Sequence, residues 1–470
     1  MMGVQQTPQS SLFYFGINID QRVRANHPLR QVNQLIDFDF SYKEVQEHYG
    51  AKGNVSVPPP VILKLMLLLI LYNVRSEREL MDTIPERMDW LWFLGYDLDS
   101  EIPNHSVLSK ARKKWGADVF RLFFERIVMQ CVNAGLVDGG KIFMDSSLID
   151  ANASNNSVVD IKNLKHQLRK NYKKLEARLE DKENNADSSR GYERKNARYI
   201  SSTDPDAAIV NRGKPKLSYQ VHRAVDERNE IITATEATAG DVNEAHLMIP
   251  LLEQHKTTTE LTANTVVADS KYGTIENFLD CHDRGIQAHM PDLRKANVKR
   301  IAKLKIFNED RFQYDPEKDV YHCPAGNILK PKSLHMSRQS RDYAAPKKIC
   351  AACSLREQCT QNKSGRTLKR HLRQTELEVM RGASGSAKSK LDIKKRQHLM
   401  ERSFARSTRY DFDRARWRGL WRMRIQEYLT CAIQNIQVLI KSAVKPTKCI
   451  NAQAVEIKNC AGLTLSPYCL

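Results

Sequence analysis

Two short apolar runs, each closed by an aspartate, constrain the fold most. Lys141 to Asp145 reads KIFMD and Thr265 to Asp269 reads TVVAD. Both are too short to bury a helical face and are rich in strand-forming side chains, so they read as buried strands. An aspartate after a strand commonly starts a turn or caps a helix. Two such strands side by side allow more, because their carboxylates can converge. Paired carboxylates can hold two divalent ions about 3.5–4 Å apart for phosphoryl transfer. Magnesium, or manganese in its place, suits such an oxygen-rich site.

The segments around these runs predict an α/β fold with a mixed sheet. Leu217 to Val225 and Glu230 to Ala237 flank the turn Glu227-Arg228-Asn229 as a hairpin. Helices are expected near Asn243 to His255 and Ile275 to Asp283, and a last strand at Ile286 to Met290. Ahead of this core, residues 1–136 read as all-α: VILKLMLLLILYNV (from Val61) is apolar on nearly all faces, and Glu77 to Leu94 and Ser109 to Leu136 follow. Residues 137–290 form the first part of the core. Within them Ile161, Leu164, Leu168, Tyr172, Leu175 and Leu179 mark one long amphipathic helix over 158–184. Residues 291–385 are basic, cysteine-bearing and irregular, as an inserted subdomain would be. Residues 386–441 return to helix, ending in Trp421 to Ile440, and 442–470 read as a tail.

Lys and Arg number 74 against 55 Asp and Glu, a formal net charge of +19. Such a surplus points to a polyanionic partner, most simply nucleic acid. The longest apolar run contains Lys64 and falls short of the roughly 20 residues that span a bilayer. No signal peptide is visible, so the expected location is cytoplasmic, beside the nucleoid, with no membrane partner.

A third carboxylate is offered by MERSFARSTRYDFDRARWRGL, which contains Glu401. Asp145 in DSSLIDANAS, Asp269 in ADSKYGTIEN, and Glu401 in ERSFA with RARWRGL and CAIQNI beyond it resemble the three blocks of bacterial insertion-sequence transposases of the DDE type. SVPPPVILKLMLLLILYNVRSERELMD and WFLGYDLDSEIPNHSVLSKARKKW resemble that family's helical N-terminal domain. The resemblance implies an RNase H-like catalytic core with an insertion before the glutamate helix. It implies that Asp145, Asp269 and Glu401 are catalytic and hold two Mg2+ or Mn2+ ions. It also implies that the enzyme cuts and joins double-stranded DNA at the terminal inverted repeats of its own element, as a homodimer in the synaptic complex. The helical N-terminal part would bind DNA ends or dimerise. Relatives usually carry a lysine seven residues after the glutamate. Here Thr408 stands there, with Arg406 and Arg409 close by and Arg396 five residues before Glu401. These arginines are the candidate DNA contacts. The missing lysine motivates one alternative, a catalytically inactive DNA-binding descendant. A nuclease that cuts without joining is another.

The insertion carries Cys323, Cys350, Cys353 and Cys359 in the pattern C-x26-C-x2-C-x5-C. The CxxC pair has metal-ligand spacing, although the last arm is long, so a structural zinc is one expectation and a reduced thiol cluster or an iron–sulfur site another. His322, His335 and His371 are substitute ligands. Phe307, Phe312, Tyr314, Tyr321 and Tyr343 could stack on a base. Among competing acids, Asp150 reads as a loop residue, Asp226 as an exposed turn, Asp241 as a helix cap, and Glu236 as a strand residue without an evident partner.

Overall fold

The computed structural model describes residues 1–5, 18–50, 54–160, 199–292 and 306–444. Of the expected helix over 158–184, residues 161–184 lie outside the described residues and Val158–Asp160 is instead a short strand paired with Tyr199–Ser201; the tail from 445 also lies outside them.

Helix Pro59–Leu71 is the apolar run of the sequence, and from Pro59 to Ile70 every side chain is buried. Proline at its start fixes φ where no helical hydrogen bond is lost. Lys64 is buried with the rest at 7% exposure. Its Nζ lies 5.3 Å from the ring centres of Phe38 and Phe93, and burial draws the amine down to about 8. The stretch from Ser109 to Leu136 is two helices rather than one. Ser106–Trp115 stops at Gly116, whose φ of +69° suits glycine, and Asp118–Asn133 follows.

The central sheet has six strands: β1 Lys141–Asp150, β2 Ala208–Arg212, β3 Lys214–Asp226, β4 Ile232–Ala239, β5 Thr265–Val267 and β6 Gln287–His289. β3 is antiparallel to β1 on one edge and to β2 and β4 on the other. β5 runs parallel to β1, and β6 parallel to β5. The order is therefore β4–β3–β1–β5–β6, with β2 beside the start of β3, and the sheet is mixed.

Side chains alternate across this sheet as the pleat requires. Ile142, Met144, Ala224, Val266 and Ala288 pack with the helices Met248–Thr259 and Ile275–Asp283. Phe143, Val225, Ile232 and Val267 face the other way, into one cluster shared with Pro59–Leu71, Asp118–Asn133 and the last helix, Leu420–Val444. The core of the N-terminal helices is thus continuous with one face of the sheet. The positions Ile425, Tyr428, Ala432, Ile436 and Leu439 of the last helix are buried there, as its periodicity predicts.

Residues 313–371, expected to be irregular, hold an antiparallel five-stranded sheet. Its core is small: Phe312, Leu329, Tyr343, Ala345 and Leu368. The chain then returns through Gln374–Ser384 to the helix Ala387–Thr408, which lies against β1, β5 and β6.

Candidate metal centre

The parallel pairing of β1 and β5 sets the site. Ile142 is opposite Val266 and Phe143 opposite Val267, so the chain brings Asp145 and Asp269, each two residues beyond that last pair, close together. β1 itself continues through Asp150 against β3, so Asp145 lies mid-strand rather than at a strand end. The parallel pairing ends at Val267, which leaves Asp145 facing the chain that turns away after β5.

That turn is built by its own side chains. Asp269 Oδ1 accepts from the Lys271 N–H at 2.9 Å and starts the turn Ser270–Tyr272. Gly273 then passes so close to the chain that a Cβ there would meet Pro291 O at 2.2 Å. A second short turn, Glu244–Leu247, packs on the first. Asn277 Nδ2 ties the two by donating to Ala245 O at 3.0 Å and Tyr272 O at 2.9 Å. Asn243, not Asp241, caps this second turn, accepting from the Ala245 N–H.

These turns bring a third carboxylate to the aspartates. Asp145, Glu244 and Asp269 each place one ligand atom within 4.8 Å of the others. Glu244 is 4% exposed. Two cationic side chains stand at the cluster. Arg396 Nη1 donates to Asp145 Oδ2 at 2.5 Å, and Lys271 Nζ donates to Glu244 Oε1. Burial pushes the Asp145 carboxyl up, against Arg396, and the charge of Asp269 adds to the rise. Burial also presses on Glu244, but its bond to Lys271 and that lysine's charge hold the carboxyl below its ordinary value. Tyr272 is fully buried and its hydroxyl has no hydrogen-bond partner among the described residues. Burial, then the charges of Glu244, Asp145 and Asp269, raise that hydroxyl well above its ordinary value.

Glu401 is not one of the three. Helix Ala387–Thr408 turns Asp392, Leu399, Met400, Ser403 and Ser407 inward, with Arg396 reaching Asp145 from the same side. At about 100° per residue, Glu401 lies roughly 140° around the helix from Arg396. It is exposed and accepts from Gln397 Nε2 at 3.1 Å. Thr408 is exposed and donates to Ala405 O at 2.8 Å. Arg406 pairs with Glu230 at 2.7 Å, and Arg409 is exposed.

The competing acids take structural places. Asp226 is fully buried, not an exposed turn, and accepts from the Gly139 and Arg228 N–H groups at 2.8 and 2.9 Å. Asp150 ends β1 and pairs with Lys216 at 2.7 Å. Glu236 has a partner after all in Arg424, at 2.7 Å.

Cys323, Cys350, Cys353 and Cys359 line one cavity of about 30 Å3. All four are free thiols. Burial pushes the Cys359 thiol up, and the other three add to the rise. Among the described residues, the groups that bring three ligand atoms within 4.8 Å are the Asp145 cluster and His282, Asp283 and Glu376. The thiols are not among them, and Arg373 already bridges Asp283 and Glu376. The histidines have partners elsewhere: Asp315 lies 3.8 Å from His322 and Asp342 3.2 Å from His335, while His371 accepts from the Arg373 N–H. Phe312 and Tyr343 are core residues, Tyr314 and Tyr321 pack against Tyr343, and Arg370 stacks 3.8 Å over Tyr314.

A transposase domain (DUF772) matches residues 17–114, and a transposase DDE domain matches residues 322–440. No curated protein and no solved structure matches the chain. The two matches, in this order along one chain, place it among the insertion-sequence transposases of the DDE type. Transposases bind DNA, and a DDE domain implies use of a divalent metal. No helix among the described residues is long and apolar enough to cross a membrane.

Proposed function

We propose that this transposase cuts and joins the ends of its own element by phosphoryl transfer on an RNase H-like core. The observation that carries the reading is the convergence of Asp145, on β1, with Asp269, just past the end of the adjacent parallel β5, with Arg396 reaching in from the helix behind them. The sheet order, an antiparallel β4–β3–β1 followed by parallel β5 and β6, supports the RNase H-like assignment.

The donor set suits magnesium or manganese: carboxylate oxygens, close together and half-buried. Asp145 and Asp269 would hold such ions; the resemblance also names Glu401, which in this structure stands apart from the cluster, exposed and bonded to Gln397. When bound, a pair of divalent ions favours in-line displacement by neutralising charge on the attacking and leaving oxygens. The remaining work falls to this chain. The buried faces of β1 and β5 fix both aspartates, and the turn Ser270–Tyr272 orients Asp269 through the Lys271 N–H. Arg396 and Lys271 supply cationic donors at the cluster that suit phosphate oxygens. Arg406 and Arg409, further along that helix, would contact the DNA backbone.

The reading divides the chain into a helical unit to 136 for DNA ends or dimerisation, a core over 137–290 and 386–441, and an inserted unit over 291–385. A homodimer would hold two element ends together. Structural zinc at the four cysteines is a separate part of the proposal, supported by the cavity they share.

The test is a strand-transfer assay with Mg2+ or Mn2+ on a duplex carrying the element's terminal repeat. Cleaved and joined products are expected. Binding without cleavage would identify an inactive descendant, the reading that Thr408 favours. Cleavage without joining would identify a nuclease.

A further inference from the structure

The third carboxylate at the aspartates comes from Glu244, not from the glutamate helix. Glu244 is almost wholly buried, yet it sits among two other carboxylates. Burying three like charges together is costly unless cations share the space. Among the described residues, the cations paired with the cluster are Arg396 and Lys271, and the Lys271 side chain is 47% exposed. Tyr272 adds an independent sign. Its hydroxyl is enclosed, feels the charges of the same three carboxylates and has no hydrogen-bond partner among the described residues. Buried hydroxyls in folded proteins are nearly always paired. A hydrated divalent cation would meet both needs, adding positive charge for the carboxylates and a polar partner for the hydroxyl.

The geometry points to Glu244 as a ligand of the divalent cation in the DNA-free protein, alongside Asp145 and Asp269, with Glu401 outside that shell. The inference rests on the metal-dependent reading above. Glu401 is exposed, and its helix presents Arg396 to Asp145 instead. Glu244 reaches the site because Asn277 clamps its turn to the turn that carries Asp269.

The test uses the full-length protein without DNA. Mn2+ is titrated in and the free ion is read by electron paramagnetic resonance. Asp145→Asn, Asp269→Asn and Glu244→Gln should each weaken binding by about tenfold or more, whereas Glu401→Gln should stay close to wild type. Glu244→Asp, which keeps the charge on a shorter arm, should recover part of the loss. Melting without metal shows whether each variant folds. Mn2+ should raise the melting temperature of wild type and Glu401→Gln but not of Glu244→Gln. Wild-type affinity in Glu244→Gln, with both aspartate variants impaired, overturns the inference and leaves the metal-dependent reading standing. Failure of the wild type to bind Mn2+, or aspartate variants that bind normally, overturns both.

Discussion

The guanidinium of Arg396 donates to the carboxylate of Asp145 at 2.5 Å, joining residues 251 apart in the chain. Its charge opposes the upward push of burial on Asp145. It also stands at the carboxylate cluster that a divalent ion would occupy.

Arg396→Met removes that cation and leaves Asp145 buried without its partner. Breaking a buried pair from one side is destabilising. The metal-free variant should therefore melt below wild type. Mn2+ should raise its melting temperature more than it raises that of wild type, because a ligand of the folded state stabilises by mass action. Calorimetry with and without Mn2+ measures both shifts. An unchanged metal-free melting temperature would show that the pair contributes nothing.

Cleavage should fail in Asp145→Asn and Asp269→Asn while binding to a terminal-repeat duplex survives. The amides keep size and shape but remove charge. Asp150→Asn should keep most activity, since Asp150 is half exposed and pairs with Lys216 at the surface. Asp226→Asn is a stability variant instead, because the carboxylate caps the Asp138 and Gly139 N–H groups at the entry to β1 and the Arg228 N–H in the hairpin turn. It should cost about 1–3 kcal/mol of stability without a selective loss of cleavage. Gel-shift and nicking assays on the same preparations separate these outcomes.

The largest stability effect is expected at Arg223 and Glu427. Both are fully buried, and the guanidinium donates to both carboxylate oxygens, at 2.6 and 2.9 Å. Arg223 also donates to Ser407 Oγ at 2.9 Å, and Thr235 donates to Glu427 at 2.6 Å. Burial presses the Glu427 carboxyl upward, but Arg223 more than compensates and holds it low. Glu427→Leu or Arg223→Met alone should cost about 3–5 kcal/mol, and the double variant Arg223→Met with Glu427→Leu should recover much of that. Denaturant unfolding of the four proteins measures the coupling.

Two buried histidines predict an acid-sensitive fold. Burial draws His222 and His255 from the ordinary 6.5 down to about 4. Their rings face Thr238 Oγ1 at 3.0 Å and Thr233 Oγ1 at 2.9 Å. The folded state therefore prefers them neutral. Their contribution is complete above pH 6.5 and is lost as pH falls from there towards 4. Each adds at most about 1.4 kcal/mol per pH unit to the slope in that window. His222→Gln and His255→Gln should flatten the decline of melting temperature between pH 6.5 and 4.5. An unchanged slope in the double variant would refute this.

Freshly purified protein should contain about one zinc per chain if the four thiols share an ion. Cys353→Ser should then release it and make the five-stranded unit protease-sensitive, because so small a core depends on such a staple. Absence of zinc by elemental analysis would leave four reduced thiols around an apolar cavity.

The sequence by itself determined most local elements of the helical unit and the core, though not the five-stranded sheet over 313–371, and it marked the two aspartates. Helices, hairpin and short strands follow from apolar spacing, and that signal is local: β5 and the last helix appear where their periodicity puts them. Asp145 and Asp269 were legible because each closes a run whose burial is written in its composition. The block around Glu401 was legible as resemblance alone. Only the tertiary structure decided what stands beside those aspartates. No spacing in TAGDVNEAHLM marks Glu244, whose place depends on Asn277 joining two turns that are remote in sequence. The burial of Asp226 and the pairing of Glu236 with Arg424 likewise depend on chain brought in from elsewhere. Helical phase, one residue at a time, turned Arg396 rather than Glu401 towards Asp145. A one-residue difference in phase moves a side chain by about 100°, and packing against the sheet, which the local sequence does not contain, chooses the phase.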